Sequence, residues 1–107
     1  MDKVSIIVRT CGRPEVLRGA LESIRKQTYP DVETVVIEDG LEISRQMICT
    51  EYSDLQLRYI STGKRVGRAK AGNLGMKVAH GKYLNFLDDD DVLYPEHIEI
   101  LLQTLQS

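Results

Sequence analysis

Tyr83-Leu84-Asn85-Phe86-Leu87-Asp88-Asp89-Asp90-Asp91 joins an apolar run directly to four consecutive aspartates, and Val92-Leu93-Tyr94-Pro95 follows at once. The apolar run has the length of a short buried strand, so the carboxylates stand at the C-terminal tip of that strand. Adjacent carboxylates in an apolar neighbourhood destabilise a fold unless a cation or donors compensate them. Hard divalent ions compensate them with oxygen ligation, and Mg2+ usually takes one or two carboxylates and completes its shell with water and phosphate. A solvated acidic turn before a helix is the plainer explanation, but one or two aspartates would serve it. Four in succession favour a ligand site.

Outward from this stretch the chain repeats one pattern. Val4-Ser5-Ile6-Ile7-Val8-Arg9-Thr10 is a β-branched run closed by Cys11-Gly12-Arg13-Pro14, which predicts a buried strand and a turn. Pro14 suits a first helical position, and Val16, Leu17, Ala20, Leu21 and Ile24 then share one helical face. Gln27-Thr28-Tyr29-Pro30-Asp31 breaks that helix, and a second strand over Val32 to Ile37 ends in Glu38-Asp39-Gly40, again acids at a tip. Ile43, Met47, Ile48 and Tyr52 outline a second helix, with Cys49 in its core or half-buried, and Leu55 to Ile60 a third strand. After the loop Thr62 to Gly67, a third helix over Arg68 to Ala79 carries Gly72 and Gly75, each costing about 1 kcal/mol relative to Ala; close packing is the compensation expected. Beyond the fourth strand, Pro95, Ile98, Leu101, Leu102 and Leu105 outline an amphipathic last helix, with Asp91 as an acid at its N-terminus.

Strands alternating with helices predict a parallel sheet with right-handed crossovers and helices on both faces. Ligands of such open sheets sit beyond the C-terminal strand ends, where the winding reverses. In the order 3-2-1-4 the first strand separates the two acidic tips by about 10 Å, a gap that seats a nucleotide. Arg9 and Thr10 lie on the middle tip, with Asp39 on one side and Asp88 to Asp91 on the other; Arg68 and Lys70, at the third helix start, are further candidates for phosphate or base contact.

Composition fits one domain of 107 residues with net charge -2, which gives no basic excess for gripping a nucleic acid backbone. Cys11 and Cys49 make no ligand spacing and suit reduced thiols in a cytoplasmic protein. No apolar run reaches membrane-spanning length, so any attachment to the inner membrane face is expected from an anchor outside this segment.

Five segments in order resemble the N-terminal half of a family 2 glycosyltransferase of the GT-A fold, over the whole chain. They are Val4 to Thr10 with Arg13-Pro14; Ser23-Ile24 to Gln27-Thr28-Tyr29-Pro30-Asp31; Val36-Ile37-Glu38-Asp39-Gly40; Ala71-Gly72-Asn73-Leu74-Gly75; and Gly81 to Asp91. The resemblance implies a Rossmann-like domain, residues 1–107, that binds a nucleotide-diphospho-sugar donor, a UDP-sugar favoured, for inverting transfer to an acceptor hydroxyl. It implies that Asp39 bonds the nucleobase, that Asp90 with Asp88 holds Mg2+ or Mn2+ on the donor diphosphate, and that Asp89 faces either that site or the ribose and sugar. It also implies that the catalytic base and the acceptor contacts lie beyond Ser107. Three departures stand out: Glu38 replaces the first of a usual acid pair, Cys11-Gly12 replaces an aromatic or His followed by Asn, and Gly72 replaces a common Arg.

Two other readings share some of these features. A phosphoacceptor signalling module also clusters acids on a parallel sheet, but after its first and third strands. A nucleotidyltransferase would carry a glycine-rich basic loop after the first strand, of which Gly12-Arg13 is a faint version.

Overall fold

The computed structural model describes residues 1–106. Four strands, β1 (Val4–Thr10), β2 (Val32–Glu38), β3 (Leu57–Ser61) and β4 (Tyr83–Asp88), alternate with α1 (Pro14–Arg25), α2 (Arg45–Glu51), α3 (Arg68–Val78) and α4 (His97–Gln106). All pairings are parallel, as the alternation predicts, and the spatial order is β3-β2-β1-β4, the order expected.

Side chains alternate across the sheet, so β1 serves two cores. Val4, Ile6 and Val8 join Leu17, Leu21, Ile24, Met47, Ile48, Ile98 and Leu102 beneath α1, α2 and α4. Ile7 faces the other way and packs with Val35, Ile37 and Ala71 beneath α3. Gly75 explains itself here, because a Cβ on it would stand 2.5 Å from Cγ2 of Ile7, so the helix lies on the sheet only without one. On that face α3 packs over β1 and β2, and Leu84 and Phe86 on the edge strand β4 remain 42% and 41% exposed.

Several expectations need correction. Asp91 is not a helix acid: α4 starts at His97, and residues 91–94 run outside regular structure. A proline at 95 bars the helical conformation from the residue before it, which delays the start. Cys49 is exposed, because Met47 and Ile48 already fill the buried stripe of a helix only seven residues long. Val16 and Ile43 are exposed as well, at 37% and 53%.

Candidate functional site

The strand tips surround a cleft of about 260 Å³ lined by Arg9, Thr10, Cys11, Arg13, Asp39, Arg65, Arg68, Ala71, Asp88, Asp89 and Asp90. Its floor is the end of β1. Thr10 ties both acidic tips to that strand: its carbonyl accepts the Asp39 N–H at 2.8 Å, and its hydroxyl donates to Asp89 Oδ2 at 2.8 Å.

Pleating divides the four aspartates. Asp88 is paired in register with Arg9 and points to the α3 face, where Arg9 Nη2 donates to Oδ1 at 3.2 Å and Arg68 Nη2 to Oδ2 at 2.5 Å. Asp89 turns to the α1 face, is 3% exposed, and accepts from Thr10 and from two nitrogens of Arg13. Through that hydrogen bond first, and its charge second, Asp89 raises the Arg13 guanidinium above its ordinary pKa. A turn then closes with the Asp91 N–H donating to the Asp88 carbonyl at 3.0 Å, folding the chain back on itself. One carboxylate oxygen each from Asp88, Asp90 and Asp91 consequently lies within 4.8 Å of the others. Three hard oxygen donors, two of them on exposed residues, form a set that fits Mg2+ or Mn2+ with room for water or phosphate ligands.

On the other side of Thr10, Asp39 is 6% exposed and accepts the N–H groups of Val66 and Gly67 at 2.7 and 3.1 Å, with the Thr62 hydroxyl at 3.4 Å. A carboxylate offers about four acceptor sites, so one remains for a donor in the cleft. Its neighbour Glu38 is fully buried and has a different task. It accepts from the Gly12 and Ser44 N–H groups at 3.1 and 2.8 Å, from the Ser44 hydroxyl at 3.1 Å, and from the Tyr59 hydroxyl. It thereby clamps the loop after β1, the start of α2 and β3 together. Burial, and then this carboxylate, push the Tyr59 phenol well above its ordinary pKa.

Of the sequence-predicted site residues, Arg9, Thr10, Asp39, Arg68, Asp88, Asp89 and Asp90 all line the cleft. Lys70 does not. It is exposed on α3, two residues beyond Arg68 and so turned about 200° around the helix from it. Arg13, Arg65 and Cys11 line the cleft without having been singled out as site residues. Arg13 had a signal, a cation just past a strand tip; Arg65 had only its place in the loop before α3.

A parallel sheet of this order, with acids from two tips meeting in an arginine-lined cleft, is a Rossmann-like GT-A nucleotide-diphospho-sugar-binding fold. The chain belongs to glycosyl transferase family 2, whose family model matches residues 5–107. Glycosyltransferase GlyG of Streptococcus pneumoniae serotype 4 is 31% identical over 108 residues, covering 99% of this chain and 36% of that protein. The structure of Staphylococcus aureus TarS 1-349 in complex with UDP-GlcNAc matches with a TM-score of 0.88 at 27% identity, covering 97% of this chain and 31% of that one. Mannosyltransferase PcManGT from Pyrobaculum calidifontis, in complex with GDP-Man and Mn2+, matches with a TM-score of 0.77 at 25% identity, over 85% of this chain and 28% of its own. The chain thus spans about a third of each of these proteins. Among the described residues no helix is long and apolar enough to cross a membrane.

Proposed function

We propose that residues 1–107 form the donor-binding part of an inverting glycosyltransferase, taking a nucleotide-diphospho-sugar, with a UDP-sugar favoured, together with Mg2+ or Mn2+. The observation that carries the proposal is the convergence of the Asp88, Asp90 and Asp91 carboxylates at one end of a cleft that has Asp39 at the other. The UDP-GlcNAc complex of TarS and the GDP-Man and Mn2+ complex of PcManGT support the same reading. Asp90, Asp88 and Asp91 hold the ion, which when bound neutralises the leaving diphosphate as a Lewis acid. Arg9 and Arg68 reach the diphosphate oxygens, as guanidinium groups suit. Asp39 takes a base N–H on its remaining acceptor site, while Arg13 and Thr10 hold Asp89 toward the ribose or sugar. Inversion follows from one in-line attack by an acceptor hydroxyl.

Among the described residues the acids lining the cleft are Asp39, Asp88, Asp89 and Asp90, and no histidine lines it. Each has a binding task in this reading, so the general base and the acceptor contacts come from outside residues 1–107. The domain works on the cytoplasmic side, where nucleotide sugars are supplied. Titration of UDP, GDP and their sugars, with and without Mn2+, tests the donor assignment: UDP is expected to bind more tightly with metal, and Asp90→Ala to abolish the difference. Equal binding with and without metal would sink it, as would an Asp90→Ala variant that keeps the metal effect. The missing base is tested separately, since sugar transfer to an added acceptor by the 107-residue chain at a clear rate would refute it.

A further inference from the structure

Asp88 is committed to two cations: Arg9 takes one carboxylate oxygen at 3.2 Å and Arg68 takes the other at 2.5 Å. A divalent ion shared by Asp88, Asp90 and Asp91 would therefore meet two guanidinium groups already on one of its ligands. Like charges a few ångströms apart repel strongly where water is partly excluded, so one group has to leave.

The two arginines differ in their freedom to do so. Arg9 has a side chain only 22% exposed, its guanidinium lies 5.2 Å from the Phe86 ring centroid, and a Cβ on Gly72 would touch its Nη1 at 3.4 Å. The missing side chain of Gly72 makes the slot in which Arg9 is wedged. Among the described residues Arg9 Nε is buried with no hydrogen-bond partner, the mark of a side chain held by packing rather than by exchangeable polar contacts. Arg68 is the first residue of α3 and its side chain is 66% exposed, so it can swing from Asp88 without disturbing packing.

We infer that Arg68 is a latch on Asp88 that couples the metal to the nucleoside diphosphate. With the cleft empty, Arg68 neutralises Asp88 and opposes the ion. When a diphosphate arrives it offers Arg68 a second anion, Arg68 transfers to it, and Asp88 is released to the metal. Metal and diphosphate then bind with positive cooperativity, and linkage makes the effect reciprocal. This rests on the donor-binding reading above and deepens it, by making Arg68 the residue that sets the coupling between the two ligands.

The test is Mn2+ binding to the 107-residue chain with and without saturating UDP, for the wild type, Arg68→Gln and Lys26→Gln. Lys26 is an exposed residue at the far end of α1 and controls for the loss of one positive charge. Without UDP, Arg68→Gln is expected to bind Mn2+ at least about 3-fold more tightly than wild type, the scale of an exposed ion pair. The enhancement that UDP gives to Mn2+ binding is expected to fall at least about 5-fold in Arg68→Gln, with the charge-assisted phosphate contact gone. Lys26→Gln should behave as wild type. The latch is overturned if Arg68→Gln binds Mn2+ alone no more tightly, keeps the full enhancement by UDP, or is matched by Lys26→Gln. Those failures leave metal-dependent UDP binding intact in the wild type, whereas its absence there overturns the donor reading and the latch together.

Discussion

The two ends of the sheet both bury carboxylates, and they treat them in opposite ways. At the N-terminal end Glu33 is 4% exposed and accepts the Ser5 hydroxyl and the His80 N–H, both at 2.5 Å; Ser5 Oγ in turn accepts the Gly81 N–H at 2.7 Å. That end is closed and every partner is internal to the fold. At the C-terminal end Asp88, Asp90 and Asp91 converge with two of the three exposed, and Asp88 is paired with the Arg9 and Arg68 side chains. Parallel topology causes the difference. It sends the N-termini of α1 and α3 to the C-terminal side of the sheet, where helix dipoles and unpaired N–H groups favour an anion, and leaves the other side to tight turns back into the strands. Glu33 therefore locks the fold at one end, whereas at the other Glu38 does so while Asp88, Asp90 and Asp91 remain available to a ligand.

The largest effect that would break this contrast lies at the closed end. A Cβ at Gly81 would fall 2.5 Å from both the backbone nitrogen and the Oγ of Ser5. Gly81→Ala is expected to destabilise the chain by about 3 kcal/mol, at the upper end of overpacking costs, in urea unfolding followed by circular dichroism. A loss under about 0.5 kcal/mol would mean that this end is as pliant as the cleft.

Asp90→Ala comes next and should act in the opposite sense. Asp90 is exposed and acts on the Arg13 guanidinium by its charge. Its removal is expected to change stability by less than about 0.5 kcal/mol while weakening UDP binding in Mn2+ about tenfold, equivalent to about 1.4 kcal/mol. Calorimetric titration alongside the same urea series separates the two quantities; a large stability loss would place Asp90 with Glu33 among the structural acids.

The smallest effect concerns pH. Burial works to raise the Glu33 pKa, but the Ser5 and His80 hydrogen bonds outweigh it, and the carboxyl is held below its ordinary value of 4.5. A depressed folded value means that the stabilisation is complete above the unfolded value and is lost as pH falls through the folded one. Wild type should therefore exceed Glu33→Gln by about 1 kcal/mol at pH 7, with the gap closing as pH falls below 4.5. A gap that stays constant down to pH 3 would show that Glu33 stabilises by shape rather than charge.

Much of this was legible in the chain itself. Helix and strand periods are local properties, so the alternation of elements and the parallel sheet followed from Val4 to Thr10, Val32 to Ile37 and Tyr83 to Leu87 with their flanking turns, and the 3-2-1-4 order expected of such a fold is the one found. Strand topology put Asp39 and the aspartate run at the two ends of a cleft, the resemblance supplied their expected roles, and Asp39 and Asp88 to Asp90 line one cleft. What sequence could not decide was the division of labour among identical neighbours. Asp88 and Asp89 differ only in the face of the pleat on which they fall, yet one meets Arg9 and Arg68 and the other Thr10 and Arg13. Asp91 rejoins Asp88 because a turn closes, not because a helix begins. Lys70 and Arg68 look equivalent in a basic helix start, and two residues of helical rotation send only Arg68 to the cleft. Local sequence determines the periods of the elements; the direction of each side chain depends on packing between distant segments, as between Arg9 and Asp88, 79 residues apart, and that only the tertiary structure decides.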